Sequence, residues 1–454
     1  MHFKLTNEYF DALKSAIKNK DDKFITEQLE ELYPQDIAEI VNELPVEYSH
    51  YIYALLDKEV AAEMLMELED DVREDFLKKI SSEDIADHFI ENLDSDDAAD
   101  LIGELSDEKR AEVISHIDDL EQAQDIVELL NYDEDTAGGL MAKEYIFANA
   151  NWTIATAVKE MKKQIEEEEI EDVYFIYVVD DNHFLKGILS LKKMLISDSK
   201  AQIANLYDPD VIAVKASKKA EEVANIMKKY DLVAMPVIDE LGRLVGRITI
   251  DDVVDVIQEE AEKDYQLMSG ISQNIESTDN IFVVTKARLP WLIVALFGGM
   301  VGARIIGNYE EQISIYPEMA FFMPLVVAMA GNAGVQSSAL VVQGLANNSL
   351  SRDNMWLKLL KELSVGVVNG LICSAIIFGF SLIFKYPLPL SMTVSCALLS
   401  VITFASIFGT LVPLTLNKFK IDPALATGPF ITTSNDIIGF FIYFMIGRLM
   451  YGVF

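Results

Sequence analysis

One acidic residue, Asp436, stands alone in the last long apolar segment of the chain. Between Pro423 and Gly447 no other side chain carries a formal charge at neutral pH. A carboxylate at the centre of a bilayer costs at least about 2.5 kcal/mol on insertion scales, so an acid kept there usually faces protein or water and marks an ion pathway. The alternative is a protonated aspartic acid that only hydrogen-bonds a neighbouring helix. We interpret Asp436 as an ion site.

The helix that must position Asp436 also carries hydroxyl groups. Thr432 and Thr433 precede the acid by four and three residues, a spacing that places them on its helical face. We expect Asp422 to cap this helix, with Pro423 at its first position. Asp436 would then lie about 21 Å along the helix, deep in a hydrocarbon core about 30 Å thick.

A second apolar segment carries two amides, Asn332 and Gln336, one helical turn apart. Amide side chains are costly in lipid unless they have a partner or face water. The small residues around them would also suit a packing seam between helices, but we favour a polar lining. The predicted pore-lining residues are therefore Asn332, Gln336, Thr432 and Thr433.

Charge divides the 454-residue chain into two halves of different character. The net charge is −37, yet 51% of the residues are hydrophobic. Residues 286–454 have a balance of +3, and residues 1–285 have a balance of −40. A surface this acidic argues against nucleic acid as a partner and favours multivalent cations. We expect an acidic soluble half and an apolar half in contact with membrane lipid.

Five windows with at most one charge are long enough to form membrane helices. They are 289–303, 319–351, 363–384, 386–417 and 423–447. Lysine and arginine predominate before the first window, between the second and third, and between the fourth and fifth. The positive-inside rule then predicts cytoplasmic residues 1–285 and an external C-terminus. Because the N-terminus lacks an apolar signal-peptide core, we expect the soluble half to remain cytoplasmic. The predicted location is a bacterial-type inner (cell) membrane, which the chain crosses several times.

Residues 1–130 form a degenerate helical repeat. Apolar residues at helical spacing and acids on the opposite face recur in the segments 36–44, 60–68, 84–93 and 97–105. Short self-similar helices of this kind stack into a small superhelix. Acids concentrate at the start of the last unit, at Asp94, Asp96, Asp97 and Asp100. Helix capping and the helix dipole would explain the first two without any bound ion.

Residues 138–257 repeat one α/β order twice: a strand, a helix, an apolar strand, a turn, and a Gly-hydrophobic-hydrophobic-Ser/Thr stretch before a helix. This order resembles a tandem pair of cystathionine-β-synthase (CBS) modules. Such pairs often bind adenine nucleotides, and the resemblance implies ATP at Thr249 and Asp252. In the first copy Lys193 replaces the corresponding acid. A purely structural dimerisation module is the alternative.

A stripe of acids follows the second copy on a predicted helix that leads toward the membrane. Its members are Asp251, Asp255, Glu259 and Glu262. Like charges at this spacing repel one another. The stripe is either the solvated face of a connecting helix or a set of cation ligands.

The whole combination resembles the MgtE magnesium channel family. Its most specific motif is Gly-Pro-Phe-Ile-Thr-Thr-Ser-Asn-Asp at 428–436, together with Gly-Asn-Ala-Gly-Val-Gln at 331–336. The resemblance implies a magnesium-selective channel for Mg²⁺ uptake. It would be a homodimer with Asp436 in its pore, closed when intracellular Mg²⁺ fills sites in the acidic domains. The metal ligands that it implies are Asp436, Asp96, Asp100, Asp251, Asp255 and Glu259.

The predicted fold is multidomain. A superhelical α-helical repeat domain at 1–132 precedes tandem α/β CBS modules at 133–257, an acidic linker (plug) helix region at 258–285 and a five-helix transmembrane domain at 286–454. An ion-coupled divalent cation transporter would use the same intramembrane acid, and a membrane-anchored nucleotide or cation sensor is a further alternative. The chain has no Walker loop, dinucleotide fingerprint or nucleophile–base pair, so we do not expect an enzyme.

Overall fold

The computed structural model describes residues 3–167, 170, 173–272, 275, 280–346 and 355–451. The chain divides into two units, Met1–Glu259 and Glu260–Phe454. The first unit begins with short helices: α1 Asn7–Asn19, α2 Asp22–Leu29, α3 Pro34–Asn42, α4 Val46–Tyr53, α5 Lys58–Met66, α6 Asp70–Leu77, α7 Ser82–His88, α8 Ser95–Gly103, α9 Asp107–His116 and α10 Leu120–Leu129.

The four repeated segments fall on α3, α5, α7 and α8, and each helix buries one apolar stripe. In α3 the buried side chains include Ile37, Ile40 and Val41. Helix α3 packs against α5, α5 against α7 and α7 against α9. Each helix therefore covers the apolar stripe of the helix two places along, and the stack shares a continuous core.

Two three-stranded sheets of the same topology follow. The first comprises β1 Phe147–Asn149, β2 Ile176–Val179 and β3 Leu185–Leu189, with helices α11 Ile154–Glu167 and α12 Leu191–Ile196. The second comprises β4 Val214–Lys215, β5 Ala234–Ile238 and β6 Leu244–Thr249, with helices α13 Ala220–Tyr230 and α14 Ile250–Met268. In each sheet the first two strands are parallel and the last two antiparallel.

The two sheets repeat even their glycines. Gly187 pairs with Val178 in the first sheet, and Gly246 pairs with Val237 in the second. A Cβ atom at Gly246 would lie 2.8 Å from the carbonyl oxygen of Ala142, and one at Gly187 would overlap the carbonyl oxygen of Asp208. The two predicted copies therefore share one order of elements because they have the same fold.

Among the residues that the structure describes, the second unit has five helices that are long and apolar enough to cross a membrane, as the hydrophobic windows predict. Their bounds, with those of the short helix α16 that connects the first two, are α15 Ile281–Asn308, α16 Glu310–Ile315, α17 Met319–Ala346, α18 Met355–Ile383, α19 Leu388–Lys418 and α20 Gly428–Tyr451. Helix α19 packs against three of the other membrane helices, and α15 packs mainly against α20.

The last membrane helix begins later than the apolar pattern predicts. Asp422 accepts a hydrogen bond from the backbone N–H of Ala424 at 2.8 Å, but the turn it caps is a short 3-10 helix, Pro423–Ala426. Helix α20 starts at Gly428, which has a φ of +48°. Pro429 explains the break, because proline disfavours the helical conformation in the residue before it. The predicted cap was therefore wrong for the long helix, and Asp436 lies about 12 Å from the start of α20.

Candidate functional site: an intramembrane carboxylate and an acidic cluster

Asp436 lies on α20 where this helix approaches α17. A Cβ atom added at Gly331 of α17 would be 3.8 Å from Asp436 Oδ1 and 3.2 Å from the methyl group of Thr432. Glycine at this position therefore brings the backbone of α17 close to the acid. Asp436 is half-buried and forms no hydrogen bond or ion pair with any residue that the structure describes. Its carboxylate is thus available to a cation.

The two predicted threonines turn to different neighbours. Thr432 directs its methyl group to Gly331, and its hydroxyl donates to the carbonyl oxygen of Gly428 at 2.9 Å. The methyl group of Thr433 packs tightly on Gly298 of α15. The divergence follows from helical geometry, since consecutive residues differ by about 100° around the axis. Thr432 shares the α17 side with Asp436, whereas Thr433 lies against α15.

The predicted amides lie on an uncovered face of α17. Asn332 and Gln336 are exposed in the single chain, one turn apart, whereas Gly331 and Gly334 beside them are buried. The glycines pack on α20, so the amides project from a different side of the helix. Amides left open to hydrocarbon would be unfavourable, which means that water or a further protein surface must cover them.

The end of the acidic helix α14 contacts the start of α20. A Cβ atom at Gly428 would overlap the carbonyl oxygen of Met268, and Pro429 packs on Gly270. Gly270 itself has a φ of +81° and turns the chain after α14. A side chain at either glycine would separate the two segments, so this close contact depends on both.

The first unit holds a cluster of carboxylates at the start of α8. One carboxylate oxygen from each of Asp94, Asp96 and Glu144 lies within 4.8 Å of the others. Glu144 also accepts hydrogen bonds from the backbone N–H and the hydroxyl of Ser95, at 3.1 and 2.9 Å. Arg247 contributes a positive charge at the edge, 3.6 Å from Asp94. Carboxylate oxygens are the protein ligands that Mg²⁺ prefers, so the donor set fits a divalent ion.

Mutual repulsion and desolvation raise the pKa values of these acids. Desolvation is the main cause for Asp97 and Asp100, and it raises the pKa of each to about 7, with added repulsion from Asp252 and Glu134 respectively. Desolvation, and then the charge of Asp97, holds the pKa of Asp96 well above its ordinary range. Such groups resist ionisation unless a cation neutralises them.

The predicted acids of α14 meet this cluster only in part. Asp251 and Asp252 add to the repulsion at Asp97, and Glu259 adds to that at Asp100. Asp255 faces elsewhere: desolvation raises its pKa, followed by the charges of Glu67 and then Asp251. The structure thus assembles two neighbouring acidic groups rather than a single row of ligands.

Glu144 escaped the sequence analysis. Glu144 lies in the segment between the helical repeat and the first sheet, and its contact with α8 joins residues 49 positions apart. Only tertiary packing creates that pairing. Asp97 belonged to the predicted cluster of acids at the start of the last unit, but it was not among the predicted metal ligands. The signal that the sequence offered for this site was the high density of acidic residues at 94–100.

The proposed nucleotide element is internally bonded. The backbone N–H and the hydroxyl of Thr249 both donate to Asp252 Oδ2 at 2.8 Å. In the first copy, Ser190 Oγ accepts a hydrogen bond from the backbone N–H of Lys193 at 3.3 Å. Both elements therefore start a helix through a side-chain cap, and in the second copy an acid takes part in that cap.

Three family models match four segments of the chain. A divalent cation transporter model, MgtE, matches residues 323–446. The MgtE intracellular N domain matches residues 15–135. The CBS domain matches twice, at 137–198 and 203–259. The order of the matches confirms the predicted fold class.

One relative covers almost the whole chain, and two further similar proteins cover more than half of it. The magnesium transporter MgtE of Thermus thermophilus is 32% identical over 97% of this chain and 98% of its own length. The magnesium transporter MgtE of Enterococcus faecalis is 37% identical over 72% of both chains. The solved cytosolic domain of the Mg²⁺ channel MgtE in complex with ATP is 33% identical, with a TM-score of 0.50, and covers 54% of this chain and 99% of that domain.

Proposed function

Because this chain belongs to the MgtE family of magnesium transporters, we propose that it carries Mg²⁺ through the membrane along a path that passes Asp436. The isolated carboxylate of Asp436 beside Gly331 is the observation that supports this path. Mg²⁺ gives up its water reluctantly, so a dedicated all-protein cage would hold the ion too rigidly for conduction. A carboxylate that contacts a hydrated ion binds it and still releases it.

The uncovered amides of α17 favour a homodimer. One carboxylate only half-neutralises a divalent ion, and a two-fold axis would supply a second Asp436. The same axis would cover Asn332 and Gln336, which the single chain leaves exposed. The apolar surface of α15, most of which is exposed in the single chain, is a further candidate for contact with the partner or with lipid.

Mg²⁺ uptake through a channel is the mode that we propose, with the soluble half in the cytoplasm and the C-terminus outside. Loop charges support this orientation through the positive-inside rule. An ion-coupled transporter would need a second ion, and the intramembrane acid would serve that mechanism equally well. Unitary current steps under a Mg²⁺ gradient distinguish the two, because coupled transport cycles are too slow to produce them.

The acidic clusters of the first unit suit inhibition of transport by intracellular Mg²⁺, a mechanism that we call the brake. Residues 1–132 and 133–257 would form the sensor, and residues 258–285 would transmit its state. Without bound cations, Asp96, Asp97 and Asp100 repel the acids of α14 and Glu144. Mg²⁺ would favour the arrangement that brings these groups together, and so shift a two-state equilibrium by its differential affinity. The contact of Met268 with Gly428 supplies a route to α20.

The relative solved with ATP motivates nucleotide binding as a second regulatory input. Thr249 and Asp252 would take part, although their mutual hydrogen bonds must then open or be shared. Lys193 in the first copy would repel Mg²⁺ but attract phosphate groups, so a phosphate there is compatible with its charge.

Flux in liposomes tests the transport proposal. Asp436→Asn keeps the shape of the side chain and removes its charge, so Mg²⁺ uptake should fall to background while the protein still elutes as the native species. Ser364→Ala is the control, because Ser364 is exposed on α18 and its hydroxyl donates to the carbonyl oxygen of Leu360 in the same helix, at 2.8 Å. Uptake at the unmodified rate in folded Asp436→Asn protein would refute the proposed path.

A further inference from the structure

Asn435, the residue before Asp436, has a buried amide side chain in the apolar contact between α20 and α17 at Gly334. We call this contact the seam. The side chain of Asn435 is 1% exposed, and neither Oδ1 nor Nδ2 forms a hydrogen bond with any described residue. Ile431, Gly439 and Tyr443 share its buried side of α20. Tyr443, by contrast, donates its hydroxyl to the carbonyl oxygen of Met319 at 2.8 Å. Asn435 thus places a strongly polar group in a seam that does not satisfy it.

Glycines on two helices close the seam around this amide. A Cβ atom at Gly334 of α17 would overlap Asn435 Nδ2, and Gly409 of α19 packs on the carbonyl oxygen of Gly334. Asn435, Gly334 and Gly409 therefore form a stack across three helices. Backbone meets side chain directly in this stack, so a shift of Asn435 requires α17 to move. Gly331, which borders Asp436, lies about one turn away on the same helix.

Two further buried oxygens flank the stack. Ser338 follows Gly334 by four residues, and Thr410 follows Gly409 directly. Both hydroxyls are buried and lack a hydrogen-bond partner among the described residues. Elsewhere in the unit, Ser374 donates to the carbonyl oxygen of Ser395 at 2.7 Å. Unpaired buried polar groups disfavour the arrangement that buries them, so this seam is less favourable than an apolar seam of the same shape.

We propose that Asn435 is a positioning residue for Asp436, which sets the balance between this closed seam and a wider one in which its amide reaches the water of the ion path. The proposal rests on Asp436 as the ion site. Consecutive residues are separated by about 100° around a helix, so a partial rotation of α20 moves the amide toward the side that Asp436 now occupies. In that position the amide oxygen of Asn435 can contact a hydrated cation without adding charge, and the amide is again in contact with water.

Replacement of the amide by an apolar side chain of similar size tests the proposal. Asn435→Leu should raise the melting temperature of the detergent-solubilised protein, because the seam loses its unpaired atoms. Mg²⁺ flux should fall about tenfold, because the closed seam is then favoured. Ser364→Leu, at an exposed position on α18, is the matched control and should alter neither quantity. If Asn435 only filled space, the Mg²⁺ flux of each variant would instead rise or fall with its melting temperature.

A second variant separates the amide from the packing. Asn435→Ala also removes the amide but leaves a cavity, so its melting temperature should fall while its flux falls by a similar factor. Unchanged flux in folded Asn435→Leu protein, or flux in the two variants that follows the order of their melting temperatures, would overturn the positioning role. Asp436→Asn measured alongside distinguishes the two failures: if that variant is inactive while Asn435→Leu is fully active, only the role of Asn435 is lost.

Discussion

The carbonyl oxygen of Met268 lies against the Cα atom of Gly428, so the last residue of the acidic helix α14 contacts the first residue of α20. The φ of +48° at Gly428 is a left-handed conformation, which residues with a side chain adopt at a cost of about 1–2 kcal/mol. Both features require glycine. We therefore expect movement at the end of α14 to be passed to the helix that carries Asp436, eight residues further on.

Gly428→Ala should uncouple the two helices. The added Cβ atom overlaps the Met268 carbonyl oxygen, so the end of α14 must move away from α20. We expect Mg²⁺ uptake that no longer decreases at high internal Mg²⁺, and a stability loss of about 1–2 kcal/mol from the left-handed φ alone. Flux at several internal Mg²⁺ concentrations measures this. Gly307→Ala is the control, since nothing lies within 4 Å of a Cβ atom there; equal inhibition of both variants would contradict the coupling.

Neutralising the acids of α14 should leave transport active at high internal Mg²⁺. The variant combines Asp251→Asn, Asp255→Asn and Glu259→Gln. A change from 1:99 to 99:1 between two states needs about 5.5 kcal/mol of differential binding, so several sites must act together and their loss should flatten the response. Patch recordings of open probability against internal Mg²⁺ provide the measurement.

A charge-matched control removes three exposed acids of the first helices, Glu8, Asp11 and Glu30. It has the same change in net charge, so it separates a local cation site from the general electrostatics of the acidic half. If both triple variants respond to Mg²⁺ like the unmodified protein, the acids of α14 are a solvated surface and the brake is absent.

The acids of α8 predict a defined pH dependence. The folded pKa values of Asp97 and Asp100 are about 7, above the ordinary value of 3.8. Between these values the folded state binds more protons than the unfolded state, so stability without Mg²⁺ should fall as the pH rises toward 7. Mg²⁺ needs the ionised carboxylates, so its stabilising effect should grow from pH 6 to pH 8.

Protease protection of residues 1–285, with Mg²⁺ and with a chelator at each pH, measures this effect in the full-length protein. Asp97→Asn together with Asp100→Asn should remove most of the pH dependence. An equal gain in protection from Mg²⁺ at pH 6 and pH 8 would show that these two carboxyls do not bind the ion.

Ser95 and Glu144 allow structure and charge to be separated. Ser95→Ala removes the hydroxyl that donates to Glu144 and accepts from the backbone N–H of Lys143. It should cost about 1–2 kcal/mol of stability, as for the loss of a buried side-chain hydrogen bond. Ser115→Ala, at an exposed serine that bonds only within its own helix, should cost little.

Glu144→Gln retains an oxygen that accepts from Ser95 but removes a charge from the cluster with Asp94 and Asp96. We expect near-normal stability without Mg²⁺ and weaker protection by Mg²⁺. Chemical denaturation in the presence and absence of the ion checks both effects. A variant that loses stability without Mg²⁺ but retains the full Mg²⁺ effect would assign Glu144 a structural role alone.

Calorimetry with ATP tests the nucleotide proposal on the full-length protein. Asp252→Asn keeps a cap for Thr249 and removes one negative charge, so binding through this element should change in affinity without unfolding of the module. Lys193→Ala is the companion variant for the first copy. If ATP produces no binding heat with or without Mg²⁺, the sheets act as a structural module.

Local sequence was sufficient to predict most of the elements, although not the start of α20 at Gly428. Five apolar windows predicted five membrane helices because length and hydropathy along a continuous segment decide which helices cross a bilayer. The repeat of α3, α5, α7 and α8 was visible because each unit buries its own apolar stripe. The duplicated α/β order likewise lies in consecutive residues. Asp436 stood out because charge is rare in such a segment.

Tertiary structure alone decided what each of these residues meets. Three contacts join separate helices: Gly331 with Asp436, Gly334 with Asn435, and Met268 with Gly428. Each includes a glycine, which has no side chain and therefore adds nothing to the hydrophobic pattern from which contacts are predicted. Glu144 joins α8 across 49 residues, a pairing that no local periodicity encodes. The sequence also could not show that Thr432 and Thr433 contact different helices. Helical geometry fixes the direction of each side chain around the axis, but packing determines which helix lies in that direction.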